Sequence, residues 1–457
     1  MSIKILFILL FVCISSLGCK KYLDAKPDDK LVVPDDLTSL QSLLDNGQYM
    51  NAASPSIGEA SADDYYLNES NYNSLVTTVQ QAYIWDLAGR NDYNFGYGGD
   101  WANLYFIVYN ANLCLDELSG IQKTSQNSSA WDNLKGSALF FRGRSFLQLS
   151  WLYAKGYNKQ TAATDLGVVL RKASDYNVPS KRASVEECYD QIISDLKTAV
   201  SLLPTAVEVA LRPSKASAYG YLARTYLSMG EYDSAYTYAN KCLQINNQLM
   251  DYNDPDLVDL SNPYPFKDLN KEVIHENYDN NFVIYSIMNK HGLVDSSLYN
   301  SYDENDIRKS AYFMNQDGAV SFYGSYKGGT AFFTGIATDE IYLIRAECEA
   351  RLEMVPDAMA DLNSLLVTRW KSGTYVPYSA GTKQKALAII LKERRKELVL
   401  RDLRWCDIKR LNLAGESISI KRIIDGQEYE LPPNDNRFAL PLPTDIIDLT
   451  GMAQNPQ

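Results

Sequence analysis

Residues 219–247 contain two apolar helical stripes joined by a short turn, and this pair restricts the fold more than any other feature of the chain. Tyr219, Leu222 and Tyr226 recur at steps of three and four, which places their side chains on one face of a helix. Small residues, Ala223 and Ala235, stand where two antiparallel helices can approach closely. The sequence therefore predicts a closely packed helical pair.

The spacing of this pair is typical of a tetratricopeptide repeat, a unit that buries its apolar face by stacking on its neighbours. A second, weaker copy covers residues 342–365. Other amphipathic helices are predicted over residues 34–44, 101–118, 131–154, 185–203, 214–229 and 383–402. We therefore predict a mainly α fold with a tetratricopeptide-like scaffold of about four stacked helix pairs. From the pattern alone, the alternative is an unrelated helical bundle.

Two long stretches, at about residues 52–100 and 251–335, do not follow the helical pattern. Loops of this length inside a compact domain are rarely structureless and often carry function. Within the second stretch, residues 281–288 and 319–323 are predicted to form short strands. We expect one domain over residues 19–457, with helical repeats at about 101–250 and 336–410 and loop-rich binding regions at about 52–100 and 251–335.

Residues 1–18 are predicted to be a lipoprotein signal peptide. Lys4 supplies a positive charge, and the apolar run over residues 5–14 is shorter than the roughly 20 residues that a spanning helix needs. Gly18 places a small residue directly before Cys19, as lipoprotein processing requires. Cys19 is therefore the predicted lipidation site, and acyl chains on it would anchor the mature chain to a membrane. The alternative is an ordinary secretory signal.

Composition argues against several classes of function. The net charge of −12 is the wrong sign for nucleic-acid binding, which needs clustered Lys and Arg. The only histidines, His275 and His291, have no metal-ligand partner at helical spacing, and no phosphate-binding glycine loop is present. Asp303 and Asn305 resemble part of a calcium loop, but its glycine and closing glutamate are missing. We therefore predict no metal and no cofactor.

Catalysis is not favoured either. Paired carboxylates such as Asp63 and Asp64 are present, and a glycan hydrolase would need two carboxylates across a cleft. No catalytic motif accompanies them, so we predict that the chain is not an enzyme. Five cysteines lie within apolar helical patterns and are predicted to be buried, with one disulfide among them as the alternative. They are Cys114, Cys188, Cys242, Cys348 and Cys406.

Aromatic residues are concentrated in the two loop-rich regions, within a chain that holds 33 tyrosines. A flat ring can cover the apolar face of a sugar, while amide, carboxylate and guanidinium groups bind its hydroxyls. For any single tyrosine, the simpler interpretation is that it packs a loop onto the helices. The tryptophans at 101, 131, 151, 370 and 405 lie on helical stripes and are assigned to the core. The predicted ligand-binding residues are Trp85, Arg90, Asn91, Tyr93, Tyr97, Tyr65, Tyr299, Tyr302 and Tyr323.

Residues 393–411 read ERRKELVLRDLRWCDIKRL, an apolar stripe with interleaved charges that predicts a surface helix with solvated charged faces. This stretch resembles the C-terminal signature of the SusD/RagB family, the nutrient-binding outer-membrane lipoproteins of Bacteroidetes. Arg401 and Asp402 replace the usual glutamate and glycine, at positions expected on a solvated face or a bend. Further blocks at 182–204, 212–243, 341–351 and 440–456 are similar to family blocks and stand in family order.

The resemblance implies a helical-repeat scaffold at the cell surface, anchored in the outer membrane through lipid. It also implies a SusC-like TonB-dependent transporter as partner, over which the protein would sit as a hinged lid. The expected function is non-covalent capture of an oligosaccharide and its transfer to that transporter. A peptide ligand, a pure protein-interaction scaffold and a glycan hydrolase are the alternatives.

Overall fold

The structure is a computed structural model that describes residues 35–87, 99–279, 282–288 and 292–457. The described residues begin with α1 (Leu37–Leu44), α2 (Gly47–Met50), α3 (Ile57–Ser61), β1 (Tyr65–Tyr66), α4 (Glu69–Asn73) and α5 (Thr77–Tyr83). Next come α6 (Asp100–Gly120), α7 (Ser128–Tyr153), β2 (Leu166–Val169), β3 (Arg182–Ser184), α8 (Val185–Leu202), α9 (Lys215–Met229) and α10 (Tyr232–Leu243).

A mixed segment follows, with β4 (Val273–His275), β5 (Tyr278–Asp279), α11 (Phe282–Met288), β6 (Leu293–Val294), α12 (Ser296–Asn300), α13 (Arg308–Tyr312), β7 (Phe313–Gln316), β8 (Ala319–Phe322), β9 (Phe332–Phe333) and β10 (Ile336–Ala337). The C-terminal part contains α14 (Thr338–Arg351), α15 (Val355–Leu366), α16 (Lys383–Glu397), α17 (Arg404–Leu413), β11 (Ile420–Ile424), β12 (Gln427–Leu431), a 3-10 turn (Asn436–Phe438) and α18 (Thr444–Thr450). Among the described residues, every sheet consists of two antiparallel strands.

The long helices form one continuous stack, which confirms the predicted mainly α, tetratricopeptide-like fold. In order, α6 packs on α7, α7 on α8, α8 on α9, α9 on α10 and α10 on α14, which also contacts α15 and α16. Ala223 and Ala235 are fully buried between α9 and α10, as their small size predicts. Ser214 caps the start of α9, and Gly230 ends it in the left-handed conformation at φ 74°.

Two elements differ from the sequence-based expectation, one in its type and one in its end point. Residues 282–288 form helix α11 rather than a strand, because the helical turn buries Val283, Ile284 and Ile287 together on one side, where α11 packs on α3. A short apolar run fits either structure, and tertiary packing decides. Helix α16 ends at Glu397 rather than continuing to residue 402, and the chain turns through Leu400 and Asp402, which both have positive φ angles, before α17 begins.

The charged side chains of α16 and α17 are buried, which corrects the expectation of solvated charged faces. Glu397 is 2% exposed and accepts hydrogen bonds from Arg308 Nη1 at 2.9 Å and Arg369 Nε at 2.8 Å. Arg410 binds both Glu347 and Asp407. Counter-ions distant in sequence therefore surround these helices, and such partners are what allow charge to be buried.

Arg401 is also buried, although it was expected to face solvent. Its guanidinium bonds Asp339 at 3.2 Å and lies 4.5 Å from the centre of the Phe333 ring. Arginine combines a planar cation with an apolar stem, so it can pack in this way on an aromatic ring. Asp402 stands at the bend, as expected there, but it is half-buried.

The two loop-rich regions are joined into one body by strand pairing. Tyr65 of β1 pairs with Val294 of β6, and the Asp295 amide donates to the Asp64 carbonyl at 2.9 Å. Tyr278 in β5 donates to the Asn51 carbonyl at 2.9 Å. Segments more than 200 residues apart in sequence therefore form a single loop-rich face beside the helical stack.

The five predicted core cysteines are all buried, and each is a free thiol. Burial raises the pKa of each thiol, to about 12 for Cys114, so they are protonated and unreactive at neutral pH. Across the described ranges, no helix combines the length and the apolar character needed to traverse a membrane.

Candidate ligand-binding face

Three tyrosines, Tyr264, Tyr285 and Tyr323, form an aromatic group on the loop-rich face, here named the tyrosine cluster. The rings of Tyr264 and Tyr323 lie 5.8 Å apart between centroids, tilted by 51°. Tyr285 is 37% exposed, and the other two are half-buried. Partial burial and the neighbouring Tyr323 and Tyr285 hydroxyls raise the pKa of Tyr264, so its phenol is neutral at physiological pH.

Local structure holds each ring of the cluster in place. Tyr264 lies between Pro263 and Pro265, which restrict its backbone, and its amide donates to Asn262 Oδ1 at 2.9 Å. Tyr323 follows β8, and its amide donates to the Tyr312 carbonyl at 2.7 Å.

Gly324 allows the close approach that positions Tyr323. A Cβ atom at residue 324 would lie 2.5 Å from the Tyr312 Cα atom, so no larger residue fits without a shift of the backbone. Tyr285 projects from α11, whose opposite side is buried. The cluster is thus a preorganised group of rings with hydroxyls at the surface, which suits a neutral ligand that has both apolar and hydroxyl surfaces.

Tyr323 is the one predicted site residue that belongs to this cluster. Tyr299 lies on the same loop-rich region, half-buried in α12, with its ring 5.6 Å from Phe313 and the Lys309 ammonium 5.2 Å from its centroid. Both residues keep part of the ring accessible. Their contact with a ligand remains a prediction.

Three other predicted residues are buried, which corrects the expectation that they present an open ring. Trp85 is 3% exposed, its Nε1 donates to the Ser61 carbonyl at 3.0 Å, and the Arg422 guanidinium lies 4.9 Å from its ring. Tyr65 donates to the Ala60 carbonyl, and Tyr302 donates to the Lys396 carbonyl at 2.7 Å. Each side chain satisfies its polar atom inside the core, so these rings pack the loop-rich face onto the helices.

The remaining predicted residues, Arg90, Asn91, Tyr93, Tyr97 and Cys19, lie outside the described residues. Two residues of the cluster were missed from sequence. Tyr264 could have been found through its flanking prolines, which hold a ring in a fixed position. Tyr285 could have been found only by assigning a helix, because it is the exposed position between buried Val283, Ile284 and Ile287.

His275 and the sequence that resembled a calcium loop both have structural surroundings. His275 is fully buried against Phe140 at 4.7 Å, and burial, with Arg144 and Arg224 nearby, lowers its pKa well below the usual value. No group of three metal-ligating side chains occurs within the part of the chain that the structure describes. Asp303 accepts the Asn305 amide at 2.8 Å, so the sequence that resembled a calcium loop forms a local turn.

The carboxylate pair Asp63 and Asp64 is held by arginines. Arg404 Nε and Arg395 Nε bond these two side chains, at 2.5 Å and 3.0 Å respectively. Burial alone would raise the pKa of Asp63, but Arg404 and Arg395 lower it below the usual range. This pair therefore fastens the first loop-rich region to α16 and α17.

Comparison with known proteins gives the family. A SusD-like family model, described as starch-binding and associating with the outer membrane, matches residues 21–227, and the SusD family model matches residues 297–456. The chain belongs to the SusD family. The two matches leave out residues 228–296 but include most of the helical stack and residues 393–411, so the resemblance predicted from that stretch is confirmed.

Relatives within the SusD family agree with this assignment. "SusD-like protein P2" of Formosa agariphila is 25% identical over 422 residues, which cover 77% of this chain and 79% of that protein. The crystal structure of a SusD superfamily protein from Bacteroides thetaiotaomicron superposes with a TM-score of 0.74 at 22% identity, covering 92% of this chain and all of that one. A SusD-like carbohydrate binding protein from Bacteroides vulgatus gives a TM-score of 0.68 at 21% identity, covering 91% and 96% of the two chains.

Proposed function

We propose that this SusD-family protein is a cell-surface lipoprotein, anchored through Cys19, that captures an oligosaccharide without covalent chemistry and passes it to a SusC-like TonB-dependent transporter. The observation that carries the proposal is the partly exposed tyrosine cluster on the loop-rich face of a chain that matches a family model described as starch-binding. The carbohydrate-binding name of the Bacteroides vulgatus neighbour supports the same class of ligand.

The tyrosine cluster would act by stacking and hydrogen bonding. Ring faces of Tyr264, Tyr285 and Tyr323 would cover the C–H surface of sugar rings, and their phenol groups would exchange hydrogen bonds with sugar hydroxyls. Few fixed contacts on an open face give modest affinity, about micromolar or weaker, which suits capture followed by release.

Calorimetric titration of the mature protein with oligosaccharide and peptide panels tests the ligand. We expect an oligosaccharide to bind, and the double variant Tyr264→Ala/Tyr323→Ala to bind it at least tenfold more weakly, because two stacking surfaces are removed. Tyr49→Ala is the matched control, since Tyr49 is 47% exposed and lies outside both loop-rich regions. Binding of peptides alone would replace the proposed ligand class, and unchanged affinity in the double variant would remove the cluster from the site.

A second arm of the experiment tests the partner. Affinity purification of the tagged protein from a detergent extract of the native membrane should recover a large outer-membrane barrel protein. Recovery of the protein alone, or with periplasmic proteins only, would contradict transfer to a transporter.

A further inference from the structure

A separate groove lies between α6, the loop over residues 170–180 and α18. Its volume is about 250 Å³. Its apolar floor includes Val108, Val169, Ile446 and Met452, and Tyr109 and Tyr176 stand at its walls. Among the described residues that line the groove, none belongs to either loop-rich region, so it is distinct from the tyrosine cluster.

The loop that forms one wall of the groove is firmly held. Asn112 Nδ2 donates to the carbonyls of Arg171 and Ala173, at 2.9 Å and 3.2 Å, and Asp116 accepts both the amide and the hydroxyl of Ser174 at 2.7 Å. These bonds tie the loop to α6.

The rest of the same loop is closed by its own side chains. Arg171 donates to the Val178 carbonyl at 2.5 Å and to Ser180 Oγ at 2.7 Å, and Asp175 accepts from the Asn177 amide at 2.9 Å. The loop is therefore already ordered in the absence of ligand, so binding costs little conformational entropy.

The two wall tyrosines take no part in these hydrogen bonds. Tyr176 is 82% exposed and Tyr109 is 42% exposed. Tyr109 lies on α6 and Tyr176 on the loop held against it. Such exposed rings contribute little to the stability of the fold, and they are the surfaces that binding sites for amphipathic ligands use.

Charge in the groove is balanced. Arg171 and Asp175 are the charged side chains among the described lining residues, and both are already engaged within the loop. The two charges are opposite, so the lining carries no net charge that would favour an ionic ligand, and a ligand with an apolar face and neutral hydroxyls meets rings, an apolar floor and a rim of serine and threonine.

We propose that this groove is a second carbohydrate site, which holds a neutral sugar ring between Tyr109 and Tyr176. This inference rests on the proposed function, since it assigns a further site for the same ligand class. Two separate sites on one chain would let a long polysaccharide bind both at once and so raise its retention above that of a short oligosaccharide.

Native-gel retention by starch, laminarin, xylan and galactomannan, followed by calorimetry with a short oligosaccharide of the polysaccharide retained most, tests the proposal. The mature protein should bind the oligosaccharide at two sites. Tyr109→Ala/Tyr176→Ala should leave one site and reduce retention by the polysaccharide about tenfold. Tyr109→Phe/Tyr176→Phe, which keeps the rings, should retain both sites, and Leu449→Ala is the matched control, because Leu449 is 82% exposed on α18 but does not line the groove.

The outcomes separate the two proposals. If binding is lost in the groove variant and unchanged in Tyr264→Ala/Tyr323→Ala, the groove assignment stands and the tyrosine cluster is not the site. A single site that the groove variant leaves intact overturns the groove assignment alone. If the mature protein binds none of the carbohydrates, or the groove binds an apolar dye that sugars do not displace, a sugar site in the groove is excluded, whereas peptide capture at the loop-rich face would survive.

Discussion

At the scale of single residues, Asp402 occupies a backbone conformation that favours glycine. Its φ angle is 58°, at the bend between α16 and α17, where the family pattern usually has glycine. Burial, with Asp100 close by, raises the pKa of Asp402 well above its usual value. The side chain therefore costs stability at neutral pH, where this carboxyl must either ionise in a poor environment or take up a proton.

We expect Asp402→Gly to raise the free energy of unfolding by about 1 kcal/mol at pH 7.5. The relief of backbone strain is nearly offset by the greater entropy of glycine in the unfolded chain, so the gain comes from removing the acid. The gain should shrink at pH 5, because protonation already removes the charge there. Urea unfolding at both pH values measures it, and an equal gain at both would contradict the electrostatic cause.

Leu400 is the control for this variant. It has a similar φ angle, 56°, but its side chain is 2% exposed. Leu400→Gly should therefore lose about 3 kcal/mol at both pH values, since the cavity outweighs any relief of strain.

At the scale of elements, α16 is fixed by buried ion pairs rather than by an apolar stripe alone. Arg308 from α13 bonds Asp306, Glu393 and Glu397, and Arg369 after α15 bonds Glu272 and Glu397. These five carboxylate contacts tie α16 to the loop-rich region and to the last repeat. Their directional hydrogen bonds hold α16 in one position. Apolar contacts alone are not directional and would fix that position less strictly.

Glu397→Gln should lower the free energy of unfolding by about 3 kcal/mol, because Arg308 and Arg369 lose a shared buried counter-charge. Lys421→Gln is the control, since the Lys421–Glu428 pair is about half exposed on both sides and should change stability by less than about 0.5 kcal/mol. Chemical denaturation compares the two. A loss in Glu397→Gln no larger than in the control would show that the network adds nothing to stability.

At the scale of the whole molecule, acidic groups with opposite pKa shifts set the pH range of stability. Burial raises the pKa of Asp100 to about 6 and that of Glu276 to about 7. Asp100 joins α6 to the first loop-rich region by accepting the Ser56 and Ile57 amides, and Glu276 lies 3.1 Å from Lys327. Burial would also raise the pKa of Asp407, but Arg394 and Arg410 lower it to about 2.

The direction of the pH dependence follows from these shifts. A carboxyl with a raised pKa in the fold stabilises it when protonated, so this contribution is complete below about pH 4 and is lost as pH rises from there through about 6 for Asp100 and 7 for Glu276. A carboxyl with a lowered pKa stabilises the fold when ionised, so this contribution is lost as pH falls below about 4. Stability should therefore be greatest near pH 4, and Asp100 and Glu276 together should lower it by about 2–3 kcal/mol between pH 5.5 and 8.

Urea unfolding across this pH range measures the fall, and Asp100→Asn/Glu276→Gln should reduce it by about 2–3 kcal/mol between pH 5.5 and 8. The Asp407 contribution at acidic pH should be unchanged in that variant. A decline of the same size with both acids replaced would show that other groups set the pH range.

Sequence alone predicted the helical stack and the buried cysteines, because helical periodicity is a local property of the chain. Residues 34–44, 185–203 and 214–229 each gave a helix close to the predicted bounds. The family signature was also readable from residue order. The tyrosine cluster was predicted only in part, through Tyr323.

Tertiary structure decided which rings and charges meet water. Nothing in the local sequence around Trp85 and Tyr302 distinguishes them from exposed aromatic residues. In the fold both are buried, and their polar atoms donate to the carbonyls of Ser61 and Lys396. Glu397 is buried because Arg308, 89 residues earlier, reaches it. The exposure of a side chain depends on segments that are far away in the chain. Its position on a helix depends on residues three and four positions away, so only the helical position can be predicted from the local sequence.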